Sequence, residues 1–290
     1  MEMAEFDWPL DKPRAVVQLV HGMAEHMGRY DRLARALNAA GYAAAGRDHR
    51  GHGADAQRPG YFADQAGWDC LVEDAHALTL RLKARYPGVP FILLGHSMGS
   101  FVCREYALRY GAELDGLVLC GTGAYGRGLC AAGRALAACA PRKRPAKLVD
   151  KIAFSANNKT FAPVRTPFDW LSRDEAEVDR YIADPLCGFV FTGEAFFDFF
   201  GGLAQLTKAS RLSALPSALP VYFIAGECDP VGQMGAGVRK TAAQFRAAGV
   251  RDVEMRLYPG ARHELFNETN RDEVTRELID WLNRHTAAEA

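Results

Sequence analysis

The chain has 290 residues, of which 49% are hydrophobic and 24% charged. These are the proportions of a globular protein and exclude a chain that is disordered, collagenous or coiled-coil throughout. Thirty-five Lys and Arg balance 35 Asp and Glu, so no global field draws in nucleic acid and any basic surface must be local. The opening MEMAEFDWPL lacks the positive and apolar regions of a secretory signal, which predicts a cytoplasmic protein. No apolar run approaches the ~20 residues of a membrane span. The 7 cysteines form no CxxC pair, which predicts reduced thiols rather than disulfides or a zinc ribbon.

Taken in order, Ala15 to Val20 reads as a strand ending at His21-Gly22. Tyr30, Leu33, Ala34 and Leu37 recur at helical spacing, and Gly41 stops them. A weaker strand follows over Tyr42–Gly46, and then a helical stripe over Trp68, Leu71, Val72, Ala75, Leu78 and Leu82. Phe91-Ile92-Leu93-Leu94 is an unbroken apolar run, as expected of a parallel strand buried on both faces. A helix continues through Phe101 and Tyr106, and Leu117–Cys120 is another buried strand. This alternation predicts a mostly parallel sheet flanked by helices.

The rhythm breaks near Gly123 and returns at Val221–Gly226. Nearly 100 residues without sheet is too long for a plain loop. The prediction is an α/β core of residues 1–122 and 217–290 with a helical cap, residues 123–216, inserted in it. Ser172 and Glu175 have capping-box spacing for a helix toward Tyr181. Phe196, Phe197, Phe199 and Phe200 crowd another helical piece. After the second strand block, a helix around Val238 to Ala248, a half-exposed edge strand at Val253, Met255 and Leu257, and a terminal helix complete the chain.

Gly95-His96-Ser97-Met98-Gly99 fits G-x-S-x-G between a buried strand and a helix, the context that gives this motif its meaning. The tight turn needs small neighbours and lifts the Ser97 hydroxyl above the sheet. A serine hydroxyl is a weak nucleophile without a base. In this architecture a carboxylate and then a histidine follow in chain order. Asp229, in Gly226-Glu227-Cys228-Asp229-Pro230, is the carboxylate, with Glu227 in reserve. His263, just past the last strand, is the base. His285 sits at a helix end, where it caps. The expected roles are proton transfer by His263 and orientation of its ring by Asp229. The oxyanion needs fixed donors. These are assigned to the backbone N–H groups of Met98 and, in the first loop, Met23.

Together these residues resemble the α/β-hydrolase superfamily, and within it the monoacylglycerol lipase and bacterial lysophospholipase-like branch. The resemblance is carried by His21-Gly22-Met23-Ala24-Glu25-His26 with Arg29-Tyr30, Asp48-His49-Arg50-Gly51-His52-Gly53, Gly95–Gly99, the Asp229 turn and the His263 loop. It implies a serine hydrolase of carboxylic esters, working without cofactor or metal under a helical lid. The lid would supply an acyl channel, with Phe196, Phe197, Phe199 and Phe200 as candidate lining. Relatives begin with a longer antiparallel strand pair, so the short N-terminus here predicts one strand fewer.

Other readings share these residues. An aminopeptidase or amidase would add an acidic pocket, for which Asp174, Glu175, Asp179 and Asp198 are candidates; a thioesterase needs the same triad. A silent ligand-binding protein would lose a triad member, whereas a candidate for each is present. Dehalogenases and epoxide hydrolases of this fold use an aspartate where Ser97 stands. His21, His26, His49 and His52 lie near one edge but miss metal-site spacing. Their expected task, with Asp48, is bracing loops. The expected partner is a small ester or lipid, with Arg142-Lys143-Arg144 and Lys147 offering at most weak contact to anionic lipid.

Overall fold

The computed structural model describes residues 3–206 and 208–286. In chain order the strands and helices begin β1 (Glu5–Trp8), β2 (Val16–Val20), α1 (Asp31–Ala39), β3 (Ala43–Arg47), α2 (Gly67–Arg85) and β4 (Phe91–His96). There follow α3 (Met98–Tyr110), β5 (Gly116–Cys120), α4 (Arg127–Ala138), α5 (Lys147–Phe154), α6 (Glu175–Ala183), α7 (Gly193–Leu206) and α8 (Ala209–Leu212). The chain closes with β6 (Val221–Gly226), α9 (Ala236–Ala247), β7 (Val253–Tyr258) and α10 (Arg271–His285).

The seven strands form one sheet in the order β1-β3-β2-β4-β5-β6-β7. Only β1 is antiparallel, pairing Glu5 with Arg47 and Trp8 with Ala44 on β3. Among the described residues, a single antiparallel strand precedes the parallel run. Successive residues of the central strands go to opposite faces, and both faces are covered. Phe91 and Leu93 of β4 join the core under α2, α3 and α9, while Ile92 and Leu94 join the core under α1 and α10. This two-sided burial explains the unbroken apolar runs. The edge strand β7 is only partly buried, so its apolar and polar residues alternate.

The order reverses at β2, because β3 lies on one side of it and β4 on the other. At such a switch point the loops after the two strands diverge and leave a crevice at their carboxyl ends. The loops after β2 and β4 carry Met23 and Ser97. Between β5 and β6 the chain contributes five helices, α4 to α8, and no sheet strand among the described residues.

One local expectation is corrected, and one helix is added. Helix α6 is capped by Asp174, not Ser172: the Ala176 and Glu177 amides donate to the Asp174 side chain at 3.1 and 3.4 Å. The Ser172 hydroxyl instead donates to the Asn267 carbonyl, 2.8 Å away. Helix α5, just after the basic run, has no counterpart in the sequence reading. It buries one residue, Val149, so its apolar stripe is too thin to announce a helix.

Candidate active site

Ser97 sits between β4 and α3 with φ 53° and ψ −121°. An L-residue adopts such a backbone only where its surroundings impose it. They do so here through two glycines. A Cβ on Gly95 would lie 2.5 Å from the Gly99 carbonyl oxygen, and one on Gly99 would lie 2.5 Å from that of His21. The turn therefore folds onto itself and onto the end of β2, which no larger residue permits. The Ser97 amide donates to the Cys120 carbonyl at 2.9 Å, fixing the elbow to β5.

The Ser97 hydroxyl donates to His263 Nε2 at 2.8 Å, and His263 Nδ1–H donates to Asp229 Oδ1 at 2.9 Å. Asp229 and His263 are buried, while Glu227 faces solvent. Asp229 Oδ1 also accepts the Val231 amide at 2.8 Å. Its Oδ2 is buried without a partner among the described residues. The two loops meet because Gly226 lets the end of β6 close on the Ala261 and Arg262 carbonyls. His285 is elsewhere: it stacks on Trp281, and its Nε2–H donates to Asp252, 3.0 Å away.

Met23 and Met98 both line the cavity that holds Ser97. Their amides donate to no backbone acceptor among the described residues. A Cβ on Gly22 would come within 3.1 Å of Ser97 Cβ, so the first loop lies directly against the serine. Three of the four clustered histidines hold these loops. The His49 amide donates to His21 Nε2 at 2.9 Å, and the Ala24 amide donates to His52 Nε2 at 3.2 Å. Asp48 Oδ1 accepts the Met27 amide at 2.7 Å. Burial holds all three rings neutral, with His49 lowered to about 4 and His52 to about 3. His26 does not brace the first loop; its Nε2–H donates to Asp184, 2.9 Å away beyond α6.

Sequence reasoning passed over a buried ionic network beneath the triad. Glu25 Oε1 accepts the Gly22 amide at 2.6 Å and the Tyr30 hydroxyl at 2.9 Å. Arg29 donates to Glu25 Oε2 at 2.7 Å and grips Glu264 with two bonds of 2.7 and 2.6 Å. It thereby ties the first loop to the residue beside His263. Burial alone would raise the Glu25 carboxyl, but Arg29 and His96 overcome this and hold it well below its ordinary value. His96 faces two acceptors, Glu25 Oε1 at 3.2 Å and the His263 carbonyl at 3.4 Å. Burial opposes its charge, yet Glu25 raises its pKa above the ordinary value. The signal was legible in part: Glu25, Arg29 and Tyr30 carry the resemblance, but their partner Glu264 is 235 residues from Arg29.

The cavity has a volume of about 600 Å³, within the range of small-molecule sites. Ser97 and His263 line its floor, and its walls are largely apolar, including Phe101, Leu136, Val149 and Leu203. The aromatic expectation is corrected by half. Phe199 and Phe200 line the space, whereas Phe196 and Phe197 do not. Helical spacing separates them: Phe196 is fully buried against Phe154 and Phe191, and Phe197 stacks under Arg134. Trp170, also missed, packs on the His263 ring with centroids 5.1 Å apart.

The acids considered for an amine pocket lie outside this cavity. Asp174 pairs with Arg271 and Asp179 with Arg165. Glu175 is exposed near Arg165, and Asp198 accepts the Gly67 amide at 3.0 Å. The basic run is partly neutralised, since Arg142 pairs with Glu194 and Lys143 with Asp64.

Comparison with known proteins agrees with this geometry. Residues 11–270 match the family described as serine aminopeptidase, S33. A monoacylglycerol lipase from Mycolicibacterium smegmatis is 30% identical over 285 residues, covering 96% of this chain and 91% of the relative. A human monoglyceride lipase is 28% identical, covering 96% and 86%. Among solved structures, a thermostable carboxyl esterase from Bacillus coagulans in complex with glycerol superposes with TM-score 0.90 at 30% identity, covering 99% of this chain and 100% of that one. A lipase in an open form superposes with TM-score 0.89 at 28% identity, covering 99% and 95%. The chain belongs to the serine aminopeptidase S33 family of α/β-hydrolases.

Proposed function

We propose that this protein hydrolyses carboxylic esters of lipid-like substrates, of the monoacylglycerol or lysophospholipid type, through an acyl-enzyme on Ser97. The observation that carries the reading is the Ser97–His263–Asp229 chain opening into a largely apolar cavity of about 600 Å³. His263 Nε2 takes the hydroxyl proton as Ser97 Oγ attacks the ester carbonyl. Asp229 holds Nδ1–H and stabilises the imidazolium that forms. The oxyanion is received by the Met23 and Met98 amides. Collapse breaks the ester C–O bond, and His263 returns its proton to the departing alcohol. Water, activated by the same imidazole, then releases the fatty acid.

Residues 123–216 act as a cap that chooses the substrate. Phe199 and Phe200 of α7 line the acyl path. Leu129 and Ile152, 65% and 57% exposed, belong both to the cavity lining and to the surface. An apolar rim of this kind suits weak, transient contact with a lipid interface, more than the paired basic run does. No helix among the described residues is long and apolar enough to cross a membrane. The reading keeps the protein in the cytoplasm, supported by seven free cysteines.

One observation favours the aminopeptidase reading. Of the acids lining the cavity, Glu25 and Glu264 are held by Arg29, which leaves Asp150 of α5 to meet an amine. A panel of p-nitrophenyl esters of graded length beside an aminoacyl-anilide decides between them. Esters turned over and the anilide ignored is the expected outcome; preference for the anilide overturns it.

A further inference from the structure

His26 stands in the loop after β2, three residues past Met23. Asp184 and Cys187 follow α6. One donor atom from each of the three lies within 4.8 Å of the others. Two independent segments, 158 residues apart, thus bring an imidazole, a carboxylate and a thiol to one point. The His26 Nε2–H donates to Asp184 Oδ2 at 2.9 Å. A histidine–aspartate pair alone is an ordinary hydrogen bond. The adjacent sulfur makes the set that thiophilic divalent cations take, three protein ligands with a fourth position left for water.

We propose that His26 Nε2, Asp184 Oδ2 and Cys187 Sγ form a binding site for a thiophilic divalent cation, zinc above all. Tetrahedral zinc with N and O ligands at ~2.0–2.1 Å and sulfur at ~2.3 Å needs ligand-to-ligand edges of ~3.3–3.6 Å. The His26–Asp184 edge opens by a few tenths of an ångström and the thiol rotates inward. Asp184 is already oriented, because its Oδ1 accepts the Leu186 amide at 2.8 Å and leaves Oδ2 toward His26. Binding breaks the Cys187 S–H bond and forms a metal–sulfur bond, with the proton passing to solvent. The proton on His26 Nε2 moves through solvent to Nδ1. Burial pushes the free thiol up, so without metal Cys187 stays protonated.

The site joins the cap to the loop of Met23. The Gly188 amide donates to the Ala24 carbonyl at 2.9 Å, and the Tyr181 hydroxyl donates to it at 3.0 Å. A bound ion would add a coordinate clasp to these two bonds and hold the cap down. That consequence rests on the hydrolase reading; the site itself does not.

The test is a cobalt titration of the reduced full-length protein, followed by displacement with zinc. The wild type is expected to bind one cobalt ion per chain, with a thiolate-to-metal charge-transfer band that zinc removes. Cys187→Ser should abolish the band and weaken zinc binding at least ~100-fold, and Asp184→Asn should weaken it while retaining the band. Zinc should raise the thermal midpoint of the wild type and leave that of Cys187→Ser unmoved. An unchanged band in Cys187→Ser, which assigns the metal to another thiol such as exposed Cys139, overturns the proposal. So does a wild type without a band. Neither readout uses ester turnover, so their failure would leave the hydrolase reading intact.

Discussion

The sheet core and the cap are built by different rules. In the core, alternate residues of β2, β4, β5 and β6 enter two covered faces, so a register slip of one residue would exchange the two cores. In the cap, helices lie over the sheet edge and leave Leu129, Leu148, Ile152, Val164 and Ile182 exposed. Outside it only Leu80 and Met234 are large hydrophobics of comparable exposure among the described residues. The reacting atoms are held by the part of the molecule that cannot slip. The part between β5 and β6, proposed to choose the substrate, leaves more of its large apolar side chains at the surface.

The largest effect that can break this division is on chemistry. Ser97→Ala should lower kcat on the order of 10⁶-fold with an unchanged circular dichroism spectrum and denaturation midpoint. Residual activity near wild type would move the nucleophile elsewhere. Next comes the network below the triad. Arg29→Met leaves Glu25 and Glu264 buried without their cation, which should cost about 3–5 kcal/mol of stability. It should also lower kcat/KM on the order of 10²-fold through loosened loops. Arg29→Lys keeps the charge but loses the fork, so it should recover part of both. Recovery of stability without recovery of kcat would make the network purely structural.

The cap is sharpened by a pair of substitutions on one helix. Phe196→Ala removes a fully buried ring and should cost about 3–4 kcal/mol in urea unfolding, with little change in chain-length preference. Phe200→Ala should cost less stability and shift the preferred ester length instead. Equal effects of the two would mean that α7 has no separate lining face.

The smallest expected effect is a pH slope at the seam. Asp198 of α7 accepts the Gly67 amide at the start of α2, and burial, with Glu194 beside it, raises its pKa to about 6. Its ordinary value is 3.8. Between these values the native state binds the proton that the unfolded chain has released, so stability falls as pH rises. With solvent screening the loss is on the order of 1 kcal/mol. Asp198→Asn should flatten that slope in unfolding measured from pH 4 to pH 7. An unchanged slope would place the titration elsewhere.

How far the sequence could be read follows the same boundary. The parallel strands were legible because burial on both faces leaves runs such as Phe91–Leu94 and Val221–Gly226, and the observed strands contain them. The G-x-S-x-G turn was legible because the close approach of Gly95 and Gly99 admits no side chain. Strand β1 was only half anticipated: its Glu5 and Asp7 point away from any core and hide its pairing with β3. In the cap the same reading took four phenylalanines as one cluster, where helical phase sends Phe199 and Phe200 to the cavity and the other two elsewhere. Long-range partners were beyond it altogether. Nothing near Arg29 announces Glu264, and nothing near His26 announces Asp184 or Cys187.

In the proposed chemistry Ser97 is activated by His263, which reaches it only through folding. Labelling the native protein with a fluorophosphonate and mapping the adduct by mass spectrometry tests this most directly. The expected result is a single adduct on Ser97, absent from Ser97→Ala and formed at least ~100-fold more slowly by His263→Ala. An adduct on another residue, or undiminished labelling of His263→Ala, would contradict it.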